Sequence, residues 1–365
     1  MSSPRTKRLT RHIRQVGAGA RLLRANMQRL DSPVKVNLCV TYWCQYQCQT
    51  CNIWKRKPTD ELTTEELLFF IKQNPDIAWL DITGGEIFLR DDIGQLLEAI
   101  ARTWTRLAVL HFPTNGFLTD QIVRVTERIA GLTPAQVVVT VSLDGDEQLN
   151  DKVRGIRGGY QRQIDTFNAL RRIPGVRVVL GMTLSRYNVG QVKKTFRACQ
   201  RDCPGLTIHD FHLNVAQLSG HYYGNDGSEA MLASPAAIKD TLHEHRAAIG
   251  RPTSVAAWVE HTYLKHLDTF LETGHTPMRC HALRSSCFVD PWGVVFPCIS
   301  YSRPVGRLRE CDMKLATVWR DAAAVETQAE IWEGQCPQCW TPCEAYQSIL
   351  GNIVRPRVWL AQENT

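Results

Sequence analysis

The chain of 365 residues contains no run of about 18 apolar residues, the length that a membrane-crossing helix needs. Its first 30 residues contain no Asp or Glu, and no apolar stretch of the kind that heads a secretory signal. A secretory route is therefore not expected, and without one disulfides are a poor account of 13 cysteines. No internal repeat and no low-complexity tract are present. A charged fraction of 22% and an apolar fraction of 44% are ordinary for a globular protein. The length allows one large domain with a smaller one beside it.

The formal charge of +7 is local. Residues 1–30 carry eight basic side chains: Arg5, Lys7, Arg8, Arg11, Arg14, Arg21, Arg24 and Arg29. Removing those eight from +7 leaves −1 for residues 31–365, so the body offers no general nucleic-acid surface. Leu9, Ile13, Val16, Ala20, Leu23, Met27 and Leu30 recur at steps of four and three, which places them on one face of a helix. Three readings of residues 1–33 stand. The helix packs its apolar face on the body, or it lies on a membrane surface or an acidic partner. The third is an organellar transit peptide, which is likewise Arg-rich and acid-poor.

Six apolar, β-branched runs read as strands: 34–41, 77–84, 107–114, 137–144, 176–184 and 207–215. Helical patterns fall between them, the first opened by a capping box from Thr63 to Glu66. Alternation of strand and helix argues for a parallel sheet with right-handed crossovers. Several strands run into a polar motif, and functional residues at the C-terminal strand ends are what a (β/α) barrel gathers at its mouth. Six units make that barrel partial and open-sided. The fold class expected is α/β: a partial (β/α)6 TIM-like barrel over 34–215, a helical connector over 216–274, a small cysteine-rich hairpin and helix unit over 275–350 and a tail over 351–365. Within the cysteine-rich unit, Pro291-Trp292-Gly293 marks a hairpin turn.

Cys44, Cys48 and Cys51 fall within eight residues. Structural zinc prefers paired C-x2-C knuckles, whereas thiolates also hold iron–sulfur clusters. A four-iron cube with three protein ligands leaves one iron open. The order Cys44-x3-Cys48-x2-Cys51, then Gly84-Gly85-Glu86, Thr114-Asn115-Gly116 and Ser142-Leu143-Asp144-Gly145, on four successive strand ends, resembles the radical S-adenosylmethionine (SAM) superfamily. The resemblance implies a [4Fe-4S] cluster on the three cysteines and SAM on the open iron. It implies that Gly84, Gly85 and Glu86 receive the methionine amino group, and that Asn115, Ser142 and Asp144 contact SAM or substrate. Reductive cleavage of SAM to a 5′-deoxyadenosyl radical then abstracts hydrogen from a substrate C–H bond. The sequence departs from the family at Thr50, where an aromatic residue usually precedes the third cysteine, and at Ile87 in place of proline. Trp54, or the backbone around Asn52 and Ile53, is the candidate to serve the adenine instead.

The C-terminal order Cys280, Gly293-x4-Cys298, Cys336-x2-Cys339-x3-Cys343 permits a zinc ribbon on spacing. It also resembles the SPASM and twitch domains of radical SAM enzymes, which implies an auxiliary [4Fe-4S] cluster. Cys280, Cys298, Cys336 and Cys339 are the expected ligands, with Cys343 and Cys287 competing for a place. Cys39, Cys199, Cys203 and Cys311 read as small buried hydrophobes.

The function expected is a cytoplasmic radical SAM oxidoreductase supplied with electrons by a flavodoxin or ferredoxin. Its substrate is expected to be a small molecule of sugar, aminocyclitol or lipid-precursor type, because about 33 residues before the first strand are too few for a peptide-recognition domain. The alternative is a ribosomal-peptide maturase of the SPASM type. An alternative of another class is a non-catalytic iron–sulfur or zinc electron-transfer protein. Arg154, Arg157, His209, Asp210, His212, Asn214, Tyr222 and Tyr223 are further candidates for substrate contact.

Overall fold

The computed structural model describes residues 4–354; residues 1–3 and most of the expected tail, 355–365, lie outside them. A long helix, α1 (Pro4–Met27), leads into six strand-and-helix units. The strands are β1 (Lys35–Cys39), β2 (Trp79–Thr83), β3 (Val109–Thr114), β4 (Gln136–Ser142), β5 (Val176–Leu184) and β6 (Phe211–Val215). They pair in sequence order and all parallel. The intervening helices are α2 (Thr64–Gln73), α3 (Ile93–Thr103), α4 (Thr119–Leu132), α5 (Glu147–Arg154), α6 (Gly159–Leu170) and α7 (Val192–Asp202). The expected capping box starts α2: Thr63 accepts from the Glu66 amide and Glu66 from the Thr63 amide. This is the partial TIM barrel anticipated from the alternation.

Alternation along β4 buries Val137, Val139 and Val141 completely and leaves Val138, Thr140 and Ser142 half-buried. The first set joins the main apolar core with Leu96, Ile100, Ile164 and Phe167 of the covering helices. The second set shares a face with a polar row that crosses four strands. Lys35 of β1 pairs with Asp81 of β2 at 2.8 Å, Asp81 meets His111 of β3 at 3.2 Å, and His111 meets Thr140 of β4 at 2.9 Å.

One expected strand is shorter. Residues 208–210 form a 3-10 turn, because the Asp210 carboxylate turns back to accept from the Thr207 amide at 3.0 Å and hydroxyl at 2.8 Å. Asp210 therefore does not share a strand face with His212, which lies in β6 and meets Glu260 at 3.5 Å. Helices α8 (Pro235–Ile249) and α9 (Val255–Thr273) follow, each started by a serine cap.

The hairpin turns as expected, between β7 (Ser286–Val289) and β8 (Val294–Phe296), and β9 (Gly306–Arg307) adds to it. Its position was not legible in local pattern: β7 pairs parallel with β1, so the sheet continues past the barrel in the order β6-β5-β4-β3-β2-β1-β7-β8-β9. After α10 (Leu315–Arg320) and α11 (Ala322–Trp332), the last helix α12 (Pro342–Gly351) turns its polar face to the barrel. Lys35 donates to the Cys343 carbonyl and to Gln347 Oε1, Asn37 donates to Glu344 Oε1 at 3.2 Å, and Ser286 to Glu344 Oε2 at 2.7 Å.

Candidate functional site

Parallel pairing brings the four motifs to one end of the sheet, in the segments that follow β1, β2, β3 and β4. The cysteine loop of residues 40–52 is held from three sides. On the first, the Gly85 amide donates to the Thr41 carbonyl at 2.9 Å and the Glu86 amide to the Trp43 carbonyl at 2.7 Å. A Cβ at Gly85 would stand 2.1 Å from Trp43 O and 2.8 Å from Cys44 Cβ, and one at Gly84 would stand 2.4 Å from Thr41 O. Only glycine lets the two segments approach this closely. On the second side, the Gln47 and Gln49 amides donate to the carbonyls of Arg154 and Val153, at 3.2 and 2.8 Å.

The third side is the loop after β6. The Asn52 amide donates to the Tyr223 carbonyl at 2.9 Å, the Asn52 side chain to the Gly224 carbonyl at 3.0 Å, and Asn225 to the Thr50 carbonyl at 3.0 Å. Tyr222 shares a hydrogen bond with Thr83 at 2.7 Å, just before the glycines. Tyr222 and Tyr223 stack at a tilt, 4.6 Å between ring centres. The sequence singled out these tyrosines as candidates but not the latch that Asn225 makes. A side-chain amide that bonds across 175 residues leaves no local signal.

Glu86 is almost fully buried, 1% exposed, at the centre of the motifs. Its Oε2 accepts from the Asn115 amide at 2.7 Å and the Thr114 hydroxyl at 3.0 Å, and its Oε1 from the Phe88 amide at 3.2 Å. Burial pushes the carboxyl up to about 7 against those three donors. An arriving ammonium would restore the carboxylate, so the site suits a cationic group. Asn115 also donates from its side chain to Gln45 at 3.1 Å, tying the third motif to the cysteine loop.

Asp144 is committed within the protein: it pairs with Arg154 at 2.7 Å and accepts from the Thr183 amide at 2.9 Å. Arg154 in turn lies over the Tyr46 ring at 5.4 Å, and its charge favours the thiolate of Cys48. Ser142 ends β4 half-buried, on the barrel side. Trp54 donates its indole N–H to the Cys51 carbonyl at 3.0 Å, with the Lys55 ammonium 5.3 Å from its ring centre.

Cys44, Cys48 and Cys51 are free, half-buried thiols. Burial raises all three, Cys44 and Cys51 to about 12, and the three interact electrostatically. A bound cation is what would hold such a set as thiolates. In the C-terminal region Cys298 and Cys339 share a hydrogen bond, with Cys280 and Cys336 in electrostatic range of Cys339. Cys343 is raised to about 12 by burial, against Lys35, and it neighbours both Cys339 and the Tyr223 ring. Cys287 sits buried in β7 beside Glu344. Of the four remaining cysteines, Cys39, Cys199 and Cys203 are buried and Cys311 is half-buried.

Among the described residues, no three or more His, Cys, Asp or Glu converge tightly enough for a single metal ion. A four-iron cluster asks for something wider, because its irons and sulfides stand between the thiolates. The two cysteine sets, each partly screened from water, supply the thiol donors that such clusters take.

Residues 38–199 match the family described as the radical SAM superfamily. The chain is 22% identical over 313 residues to the sporulation killing factor maturation protein SkfB of Bacillus subtilis, covering 84% of this chain and 70% of SkfB. It is 27% identical over 285 residues to the mycofactocin maturase MftC of Mycobacterium ulcerans, covering 76% of this chain and 71% of MftC. Among solved structures, SuiB of Streptococcus suis bound to S-adenosylmethionine superposes with a TM-score of 0.61 at 15% identity, covering 84% of this chain and 70% of SuiB.

Proposed function

This chain belongs to the radical SAM superfamily, and we propose that it is a peptide maturase that oxidises a ribosomally made precursor. The enzyme class, the SAM-binding [4Fe-4S] cluster and the auxiliary cluster follow from the family and its relatives. The substrate is our reading. The observation that carries it is the likeness to SkfB and MftC, both maturation proteins by name, which extends well beyond residues 38–199. SuiB has also been solved bound to precursor peptide SuiA. That favours the peptide alternative over the small-molecule substrate expected from the short segment before β1.

Cys44, Cys48 and Cys51 are the proposed ligands of the SAM-binding cluster, and Cys280, Cys298, Cys336 and Cys339 those of the auxiliary one, with Cys343 in reserve. When bound, the cluster and SAM supply a species able to take a hydrogen atom from an unactivated C–H bond. The protein's own part is to position and to shelter. Glu86 holds the SAM ammonium as a carboxylate fixed by the Asn115 amide and the Thr114 hydroxyl. Gly84 and Gly85 let that carboxylate approach the cysteine loop. Asp144 keeps Arg154 beside Cys48, and Ser142, Asn115 and Trp54 are the further residues proposed to meet SAM. The loop bearing Tyr222 and Tyr223 closes one side and excludes water. A flavodoxin or ferredoxin is the proposed electron donor.

The test is anaerobic reconstitution followed by incubation with reductant, SAM and a short peptide encoded beside the gene. Expected are about eight irons per chain, release of 5′-deoxyadenosine, and a peptide product lighter by two hydrogens. Cys48→Ala abolishes both the release and the product. A chain that turns over small sugars or aminocyclitols while leaving the peptide unchanged refutes the maturase reading. It would leave the radical SAM assignment intact.

A further inference from the structure

Helix α1 is mounted the wrong way round for a helix that merely packs on a protein. Leu9, Ile13, Val16, Ala20 and Met27 lie along one line of the helix, and this is the face that points to water. Leu9 is 61% exposed, Ile13 62%, Val16 59% and Met27 73%. The opposite face, turned to the body, is the basic one. Lys7 donates to the Gly131 carbonyl, Arg11 to the Pro134 carbonyl at 3.0 Å and to Gln136 at 2.8 Å, and Arg14 to the Leu107 carbonyl at 3.1 Å. Arg21 donates to the Asp76 carbonyl at 2.6 Å, and only the last turns bury apolar side chains, Leu22 against Val34 and Ala78.

Two features say what covers the outward stripe. The acceptors that Lys7, Arg11 and Arg14 use are neutral oxygens, so their charges are not cancelled. Arg5, Arg8 and Arg24 stay exposed along the same helix, and it contains no acid. An apolar line flanked by cationic side chains, on a helix about 36 Å long, matches a plane that is apolar below and negative at its surface. A line of single side chains has no pocket to receive a partner's side chains, which favours a plane over an acidic protein.

We propose that α1 is a lipid-binding surface that lays the protein on an anionic bilayer. The geometry also sets the orientation. The carbonyls gripped by α1 belong to residues at or before the starts of β2, β3 and β4, whereas the motif residues follow the ends of those strands. The mouth therefore opens about 20 Å away from the bound face and looks into the aqueous phase. A membrane-bound enzyme of this design takes a water-borne substrate rather than one drawn from the lipid. The proposal stands independently of the peptide assignment.

The experiment is co-sedimentation of the full, iron-loaded chain with vesicles rich in phosphatidylglycerol and with vesicles of phosphatidylcholine alone, at low and high salt. Binding is expected to the anionic vesicles, weakening as salt rises. The triple substitution Leu9→Asp, Ile13→Asp, Val16→Asp should lower partitioning about a hundredfold, with an unchanged melting profile and unchanged 5′-deoxyadenosine release in solution. Arg5→Gln with Arg8→Gln should lower it about thirtyfold, a second readout should the triple variant fold poorly. A chain that stays in solution with anionic vesicles, or binds them equally after either set of changes, overturns the proposal. So does light scattering that shows a dimer dissolved by the triple substitution, since the stripe would then be a self-association face.

Discussion

Gly85→Ala probes whether the approach of the second motif to the cysteine loop is a requirement of the site. The new Cβ would stand 2.1 Å from Trp43 O, 2.6 Å from its carbonyl carbon and 2.8 Å from Cys44 Cβ, where ordinary contact begins at 3.4 Å. Two of the three atoms are backbone and cannot rotate aside. The segments must part by roughly an ångström, which strains or breaks the bonds from the Gly85 amide to Thr41 and from the Glu86 amide to Trp43. Overpacking costs about 1–3 kcal/mol and each lost bond about 1 kcal/mol, so the fold should lose roughly 2–4 kcal/mol and still form. The larger effect is functional. A displacement of about 1 Å between Cys44 and Glu86 should cost about a hundredfold in SAM cleavage. The assay is iron content and 5′-deoxyadenosine release after anaerobic reconstitution, with a thermal melt, beside Gly131→Ala as control. A Cβ at Gly131, near the end of α4, meets nothing within 4 Å. A Gly85→Ala protein that retains the parent's iron content and cleaves SAM within about twofold of it refutes the argument.

Three further outcomes follow from the same geometry. Burial raises Glu86 and Glu344 to about 7 in the fold, above their unfolded value of 4.5. The folded state then binds the extra protons, so their contribution falls as pH rises from about 4.5 to 7 and stays low above that. In iron-free protein at pH 8, Glu344→Gln should therefore raise stability by a few kcal/mol with no gain at pH 4, read by urea melts; Glu86→Gln should do the same while losing SAM binding by calorimetry. Equal gains at both pH values would contradict the assigned shifts. Asn225→Ala removes bonds to Thr50, Gln217 and Ser219. It should cost about 2–3 kcal/mol and loosen the cysteine loop, seen as faster iron loss to a chelator, and an unchanged rate would mean that the latch is dispensable. Cys339→Ala should halve the iron content, whereas Cys343→Ala should leave it near that of the parent if Cys343 is held in reserve.

Much of the barrel was legible because its signals are local. The strand ends carry their motifs in chain order, and Thr63 to Glu66 announces α2 within four residues. Burial alternates along β4 at the strand period, but Val138 on the half-buried face is as apolar as Val137 and Val139, so only the structure separates the two faces. The shortfall at 207–210 has an equally local cause, a carboxylate that satisfies a backbone amide and so ends the pleat. Nothing local distinguishes Asp144 as a partner of Arg154 from Asp144 as a ligand of SAM, since both ask for a buried carboxylate at a strand end.

What the sequence by itself determined is the set of elements and the chemistry they carry: six strand-and-helix units, three thiols in one loop, a carboxylate after two glycines and a second group of cysteines. What only the tertiary structure decided is which surfaces meet. The apolar line on α1 was plain from its spacing, yet spacing defines a face without a direction. The grip of Lys7, Arg11 and Arg14 on carbonyls at the base of the barrel turns that face outward. In the same way β7 finds β1 across about 250 residues of chain, and α12 places Glu344 against Asn37 and Ser286. Such pairings are chosen by shape and by the need to satisfy buried polar groups from distant segments, and neither is written in any local stretch of residues.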